Sequence, residues 1–272
     1  MRAGVSWVIM AVILAAAPLV AEQIMPDRLD QLPQVDVVFV GETHDNAVHH
    51  LNQARAVAAV SPAAMVFEML TPQQAALMPA DRADAVALEK ILGWNAAGWP
   101  DFAMYYPIFA AAPVARIYGA DVADADVKRA VSLGAAVVFG IDAARYGLTL
   151  ALPPVDQAAR VAEQQTAHCD ALPPGLLPGM VQVQRLRDAA LARAVIQAVA
   201  ETGGPVVVIT GSGHARRDRG VPAVLRLAAP TLRVLAIGQF SADPGPDVPF
   251  DLWLRAPAAD AVDPCAAFLA KP

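Results

Sequence analysis

Two cysteines are all that this 272-residue chain contains, Cys169 and Cys265, and neither sits in the C-x-x-C-H signature of covalent c-type haem. A cysteine nucleophile is not expected. No cysteine lies near residue 21 either, so a lipid-modified N-terminus has no support. Basic residues do not exceed acidic ones: the net charge is −6, which removes the electrostatic footprint of a nucleic-acid partner. Internal repeats, low-complexity blocks and the H-E-x-x-H spacing of zinc proteases are all missing. Charge is sparse, at 17% against 56% hydrophobic residues, so the chain has ample apolar surface for a core and is not expected to be disordered.

What is present begins with Arg2 and an uncharged run from Val8 to Val20, followed by Ala21 and Glu22. This is the layout of a secretory signal peptide over residues 1–21. A retained transmembrane anchor is the competing reading, but the run falls short of the roughly 20 apolar residues that span a bilayer. The mature chain, a single domain over 22–272, is then expected in the periplasm or outside the cell. An even cysteine pair readily oxidises there. A Cys169–Cys265 disulfide would stabilise the fold by roughly 4–5 kcal/mol in the chain-entropy model; two buried free thiols are the alternative.

Val35–Val40 is an apolar, mostly β-branched run interrupted only by Asp36, as in a parallel strand covered on both faces. Asp45 or Asn46 caps the helix that follows, and Ala64–Glu68 is a second short strand. Pro72 opens a helical region broken near Gly93, and the aromatic stretch Trp94–Phe102 reads as an ordered loop before Tyr105-Tyr106-Pro107 and a short helix through Ala112. Ala115–Asp121 is a third strand. From about 125 to 202 the chain is helical, read as an insertion or cap subdomain. Strands resume at Pro205–Thr210 and Val234–Ile237, and Phe250–Leu254 closes the pattern as an edge strand. The fold class is α/β, with a mainly parallel central sheet flanked by helices.

Three of the five histidines, His44, His49 and His50, lie within seven positions, directly after the first strand. Ligands of open parallel sheets gather beyond the carboxyl ends of the strands. That rule brings Glu42, His44, Glu68, Asp121 and His214 to one rim. Such a set suits a divalent metal held by Glu42, His44 and His214. It equally suits acid–base catalysis, with a glutamate activating water and a histidine protonating a leaving group. His49 and His50 are adjacent on a helix, so one of them is expected in solvent. Arg216, Arg217 and Arg219 follow His214 and are placed to clamp carboxylates.

Several blocks, in order along the chain, resemble the ChaN-type haem-binding uptake proteins of the Tiki/TraB superfamily. They are Gly41-Glu42-Thr43-His44-Asp45-Asn46 with His49-His50; Glu68-Met69; and Gly98 through Phe109. His168-Cys169, Gln184-Arg185-Leu186-Arg187-Asp188 and Gly211-Ser212-Gly213-His214 through Pro222 complete the set. The resemblance implies an α/β fold with a helical subdomain, a surface haem site and a role in iron or haem uptake. It implies Tyr105 as the ligand of ferric haem, with Tyr106 where arginine often stands and with His44, His49 or His214 as the alternative ligand. Phenolate is a hard anionic ligand that favours ferric iron. Arg216, Arg217 or Arg219 would pair the propionates. A homodimer closing two haem faces together, and a haem receptor or transporter, are the implied partners.

The wider superfamily contains hydrolases and proteases built on the same glutamate and histidine blocks. Glu42, Glu68 and His214 therefore keep a hydrolase, with or without metal, as the alternative. In this chain His44 stands one place earlier than a strict Gly-Glu-x-x-His pattern, where Asp45 falls.

Overall fold

Seven strands make one sheet, and their apolar sequences follow from being covered on both sides. They are β1 (Glu22–Ile24), β2 (Val37–Glu42), β3 (Ala64–Phe67), β4 (Arg116–Gly119), β5 (Val206–Gly211), β6 (Val234–Phe240) and β7 (Leu252–Arg255). The order is β1-β7-β6-β2-β5-β3-β4, and the pairings are parallel throughout. The computed structural model describes residues 21–259 and residue 265, so the signal peptide read over 1–21 lies outside the described residues but for Ala21. Among the described residues no helix is long and apolar enough to cross a membrane.

The helices are α1 (Ala47–Val60), α2 (Pro72–Ala76), α3 (Ala85–Leu92), α4 (Phe102–Ala111) and α5 (Asp124–Leu133). They continue with α6 (Ala135–Phe139), α7 (Pro154–Ala167), α8 (Leu177–Thr202), α9 (Ser212–Ala215) and α10 (Val221–Ala228). Side-chain parity assigns the layers. Val37 and Phe39 on β2 join Val206 and Val208 on β5 in a core shared with Leu186, Leu191 and Val195 of α8 and Leu225 of α10. Val38 and Val40 join Val207 and Ile209 in the opposite core, with Ala56 and Val57 of α1 and Ile108 and Phe109 of α4. Strand residues of successive parity face opposite sides, so neither set can be polar. That removes the alternation an open sheet would show.

Helices α5, α6 and α7 pack on α8, which lies along β3, β4 and β5. Local signals fix the ends: the Asn46 side chain accepts from the backbone N–H groups of Val48 and His49 to start α1, and Asp101 accepts from Ala103 to start α4.

Two expectations are corrected here. The segment at Leu252–Arg255 is not an edge strand, because β1 pairs along its outer side. With three residues, β1 is too short to show a periodicity. Helix α4 begins at Phe102, before the tyrosines, and contains Pro107. Pro107 removes one i→i−4 bond and crowds the Ala103 carbonyl, yet the Asp101 cap starts the helix upstream of it.

The structure joins Cys169 to Cys265, 96 positions apart, in a disulfide. A crosslink over so long a loop acts mainly on the unfolded chain. Replacing both cysteines by serine is expected to lower the unfolding free energy by roughly 2–5 kcal/mol, read as a lower urea midpoint; an unmoved midpoint would show that the crosslink adds nothing.

Candidate functional site

Strands β2 and β5 are neighbours in register, with Glu42 opposite Gly211. After β2 the chain turns into α1 on one face of the sheet, and after β5 it turns into α9 and α10 on the other. The carboxyl ends of the two strands therefore open between the layers, which is where a parallel sheet accepts a ligand. An open cleft of about 1040 Å³ lies there. Its floor is the strand ends, one wall is the Trp99-Pro100 loop, and the other is formed by α7 and α8.

Glycine is required twice in this floor. A Cβ on Gly41 would come within 2.9 Å of the Ser212 hydroxyl and 3.0 Å of its Cα. One on Gly211 would lie 3.3 Å from His44 Nε2. Both glycines let the two motif blocks close on each other.

Glu42 is buried and forms the hub. Its Oε1 meets His44 Nδ1 at 2.7 Å and accepts from the Tyr105 hydroxyl at 2.7 Å. Its Oε2 accepts from Gln53 at 2.5 Å and lies 3.4 Å from His50 Nδ1. Burial pushes this carboxyl up, but the hydrogen bonds from His44 and His50 reverse the sign and hold it well below the usual carboxylate range. Burial likewise works against a proton on His44, yet Glu42, with Glu68 and Asp45 nearby, raises its pKa from 6.5 to about 9. The His44 side chain is 34% exposed, with its ring 5.2 Å from Trp99. Its Nε2 faces Glu68 Oε1 at 3.9 Å. The hydrogen bond on Nδ1 thus aims Nε2 at the cleft.

Across the floor stands a second acid and imidazole group. Glu68 accepts at Oε2 from the Thr210 hydroxyl (2.7 Å) and the Gly211 backbone N–H (2.8 Å). Burial opposes its charge, but His214, His44 and these donors lower its pKa. His214 Nε2 is 3.4 Å from Glu68 Oε1, and its Nδ1 is 2.7 Å from Asp188 Oδ1. Burial disfavours the imidazolium, and the carboxylates on either side overcome it, so the His214 pKa is raised. Asp188 was not assigned a role from the sequence. A buried acid in the apolar stripe of α8, between Leu186 and Leu191, is the signal that points to it.

The structure brings Glu42, His44, Glu68 and His214 to the cleft, and leaves other expected residues out of it. Tyr105 is 0% exposed, donating to Glu42 behind His44, its ring 3.9 Å from that of His50. Burial and the Glu42 carboxylate push its phenol far above the ordinary value. Its oxygen therefore does not face the cleft as the expected haem ligand would. Tyr106 donates to the Ala83 carbonyl at 2.6 Å, away from the cleft.

The expectation that one of His49 and His50 is in solvent fails: both are buried. Helix α1 is enclosed by the sheet on one side and α4 on the other, so polar partners inside the fold take the place of water. His49 Nδ1 accepts from the Thr43 backbone N–H at 2.9 Å, and His50 Nε2 meets the His44 carbonyl at 2.9 Å. Burial, with His50 beside it, lowers the His49 pKa to about 4.

Asp121 binds its backbone N–H to the Leu70 carbonyl and does not line the cleft. The arginines expected as clamps are engaged: Arg216 with Asp218 (2.6 and 2.9 Å), Arg217 with Asp251, and Arg219 with Glu163. The metal set of Glu42, His44 and His214 is not assembled either. Glu42 is turned inward onto four partners, and among the described residues no group of three or more His, Cys, Asp or Glu could hold a metal ion.

The sequence pattern of the family described as haem-binding uptake, Tiki superfamily, ChaN matches residues 28–225. No curated protein matches the chain. ChaN of Campylobacter jejuni, solved under the description of cofacial heme binding, is 17% identical with a TM-score of 0.62, over 82% of this chain and 89% of that one. The type III effector HopBA1 is 12% identical with a TM-score of 0.43, over 82% of this chain and 88% of its own. The likeness to the Campylobacter protein is one of fold.

Two of the shifted histidines, His44 and His49, give opposite pH dependences. His44 binds its proton more tightly folded than unfolded, so its contribution to stability is complete below about pH 6.5 and is lost as pH rises through about 9. His49 is buried neutral, so its contribution is complete above about pH 6.5 and is lost as pH falls through about 4. Proton NMR is expected to find these two midpoints, and Glu42→Gln to return His44 toward 6.5. A His44 ring still titrating near 9 in that variant would place the cause elsewhere.

Proposed function

We propose that this chain, which belongs to the haem-binding uptake family ChaN of the Tiki superfamily, is an exported haem-binding protein that takes ferric haem into the cleft at the strand ends. The observation that supports this most directly is the cleft itself. Its volume of about 1040 Å³ is at the upper end of the roughly 300–1,000 Å³ of cofactor-sized sites. Trp99, Pro100, Ala167 and Val181 give it apolar lining, and histidine and arginine side chains stand among them. That composition fits a flat apolar ring with an iron and two carboxylates. When bound, ferric haem would supply a Lewis-acidic iron to be ligated by a side chain of the protein.

His44 is the group best placed to be that ligand. It presents Nε2 to the cleft, where the proton it holds below about pH 9 would be given up on binding iron, while Glu42 orients the ring through Nδ1 and strengthens it as a donor. Tyr105, expected from the family pattern, stands one hydrogen bond behind and would have to leave Glu42 to reach an iron. Export is supported by the N-terminal apolar run and by the disulfide, which suits an oxidising compartment. A second copy of the chain and a haem receptor or transporter are the partners this role calls for.

One observation also favours a hydrolase: Asp188 and Glu68 flank His214 and raise its pKa, favouring the imidazolium. That suits a general acid beside a carboxylate. Divalent metal chemistry gains no such support from the side-chain arrangement.

Ferric haem titrated into the mature protein is expected to give a saturable Soret shift; its absence would reject the haem reading. His44→Ala is expected to change that spectrum and Tyr105→Phe to leave it unchanged, whereas the reverse result would assign the iron to Tyr105. For the hydrolase, ester or peptide cleavage should disappear in His214→Ala. Cleavage undiminished in that variant, or none in the wild type, would retire the mechanism.

A further inference from the structure

The cleft contains two cations that the protein itself leaves unused. Arg160 projects from α7 and Arg187 from α8, and both line the cleft. Neither makes a hydrogen bond or ion pair among the described residues, and the Arg160 Nε is buried without a partner. Every other arginine of the cleft wall is neutralised: Arg216 by Asp218, and Arg219 by Glu163 and Asp218. Of the acids that act on Arg160, Asp188 holds His214 and Asp218 holds Arg216, while Asp156, one turn earlier on α7, acts on it without forming an ion pair.

An unpaired guanidinium in a partly dry wall is unfavourable unless an anion completes it. The electrostatic reach of the pair is consistent with a shared position. Arg187 acts on His214, and Arg160 acts on Asp188, the residue that His214 is bonded to. Three further buried polar atoms without hydrogen-bond partners, Ser212 Oγ, Gln164 Oε1 and Arg219 Nε, belong to residues of the same cleft. Gln164 lies four positions after Arg160, on the same face of α7.

We propose that Arg160 and Arg187 form a carboxylate clamp that binds the propionates of the haem, in place of Arg216, Arg217 and Arg219. The fork of each guanidinium matches a carboxylate with two parallel N–H donors. The clamp rests on the haem reading above and adds to it a requirement for the two acid groups of the macrocycle, separate from any contact to iron.

Metal-free protoporphyrin IX isolates that requirement, because it keeps both carboxylates and has no iron. Its binding to the mature protein, followed by porphyrin fluorescence, is compared with that of its dimethyl ester and repeated on R160Q/R187Q and on R160K/R187K. The clamp predicts saturable binding to the wild type, weakened at least about tenfold by esterification or by the double glutamine change. The double lysine variant should bind more tightly than the double glutamine one, because it keeps both charges. An ester or a glutamine variant that binds as well as the reference overturns the clamp and leaves the haem reading standing. No saturable binding of either the porphyrin or ferric haem overturns both. Urea midpoints close to that of the wild type show that the variants remain folded.

Discussion

A single buried carboxylate organises the rim of this sheet. Glu42 lies where water does not reach, and an ion there is tolerated only when its oxygens are met by donors. His44, Gln53, His50 and Tyr105 supply them, from the loop after β2, from α1 and from α4. Each donor is therefore held by the charge as much as the charge is held by the donors. Helix α4 is tied to the strand end through one phenol, and α1 is tied to it through Gln53, which also donates to the Val40 carbonyl. The outward consequence is His44, the member of the group whose ring still meets solvent. A polar cluster built for internal satisfaction thus ends in one imidazole nitrogen at the cleft.

The second acid and imidazole group is arranged differently. Glu68 is satisfied by the backbone and hydroxyl of β5, so its position is set by strand pairing, and His214 is set by Asp188 from the helical layer above. The cleft floor is thereby assembled from both layers of the fold, the α1 and α4 side through Glu42 and the α8 side through Asp188. Trp99 contributes from the loop that precedes α4, packed against the His44 ring.

Much of this was legible in the sequence, for a physical reason. Parallel strands covered on both faces must be apolar runs, so β2, β3, β5 and β6 declared themselves, and the rule that ligands gather at strand ends placed Glu42, His44, Glu68 and His214 together. What failed was direction and partnership. Nothing in Phe102–Phe109 tells which tyrosine turns inward, since that depends on the buried Glu42 drawing the Tyr105 hydroxyl to itself. The arginines after His214 are equally charged in sequence and differ only in having Asp218, Asp251 and Glu163 within reach. Asp188 and the free Arg160 and Arg187 depend on how α7 and α8 lie over the sheet, which no local pattern encodes. The strand β1 was lost to its length, three residues giving no period to read.

The parity of β2 has an evolutionary corollary. Gly41 faces Ser212 and Ala215 in one layer, while Glu42 faces Tyr105 and Gln53 in the other. A side-chain period of two means that one inserted or deleted residue within Val37–Glu42 exchanges these roles. The carboxylate would be driven against Ser212 and Ala215, away from Gln53 and Tyr105, and glycine would stand where the hub belongs. This strand can drift in composition among apolar residues but not in length. Only a change of length outside the strand leaves the reactive edge of the sheet in its present phase.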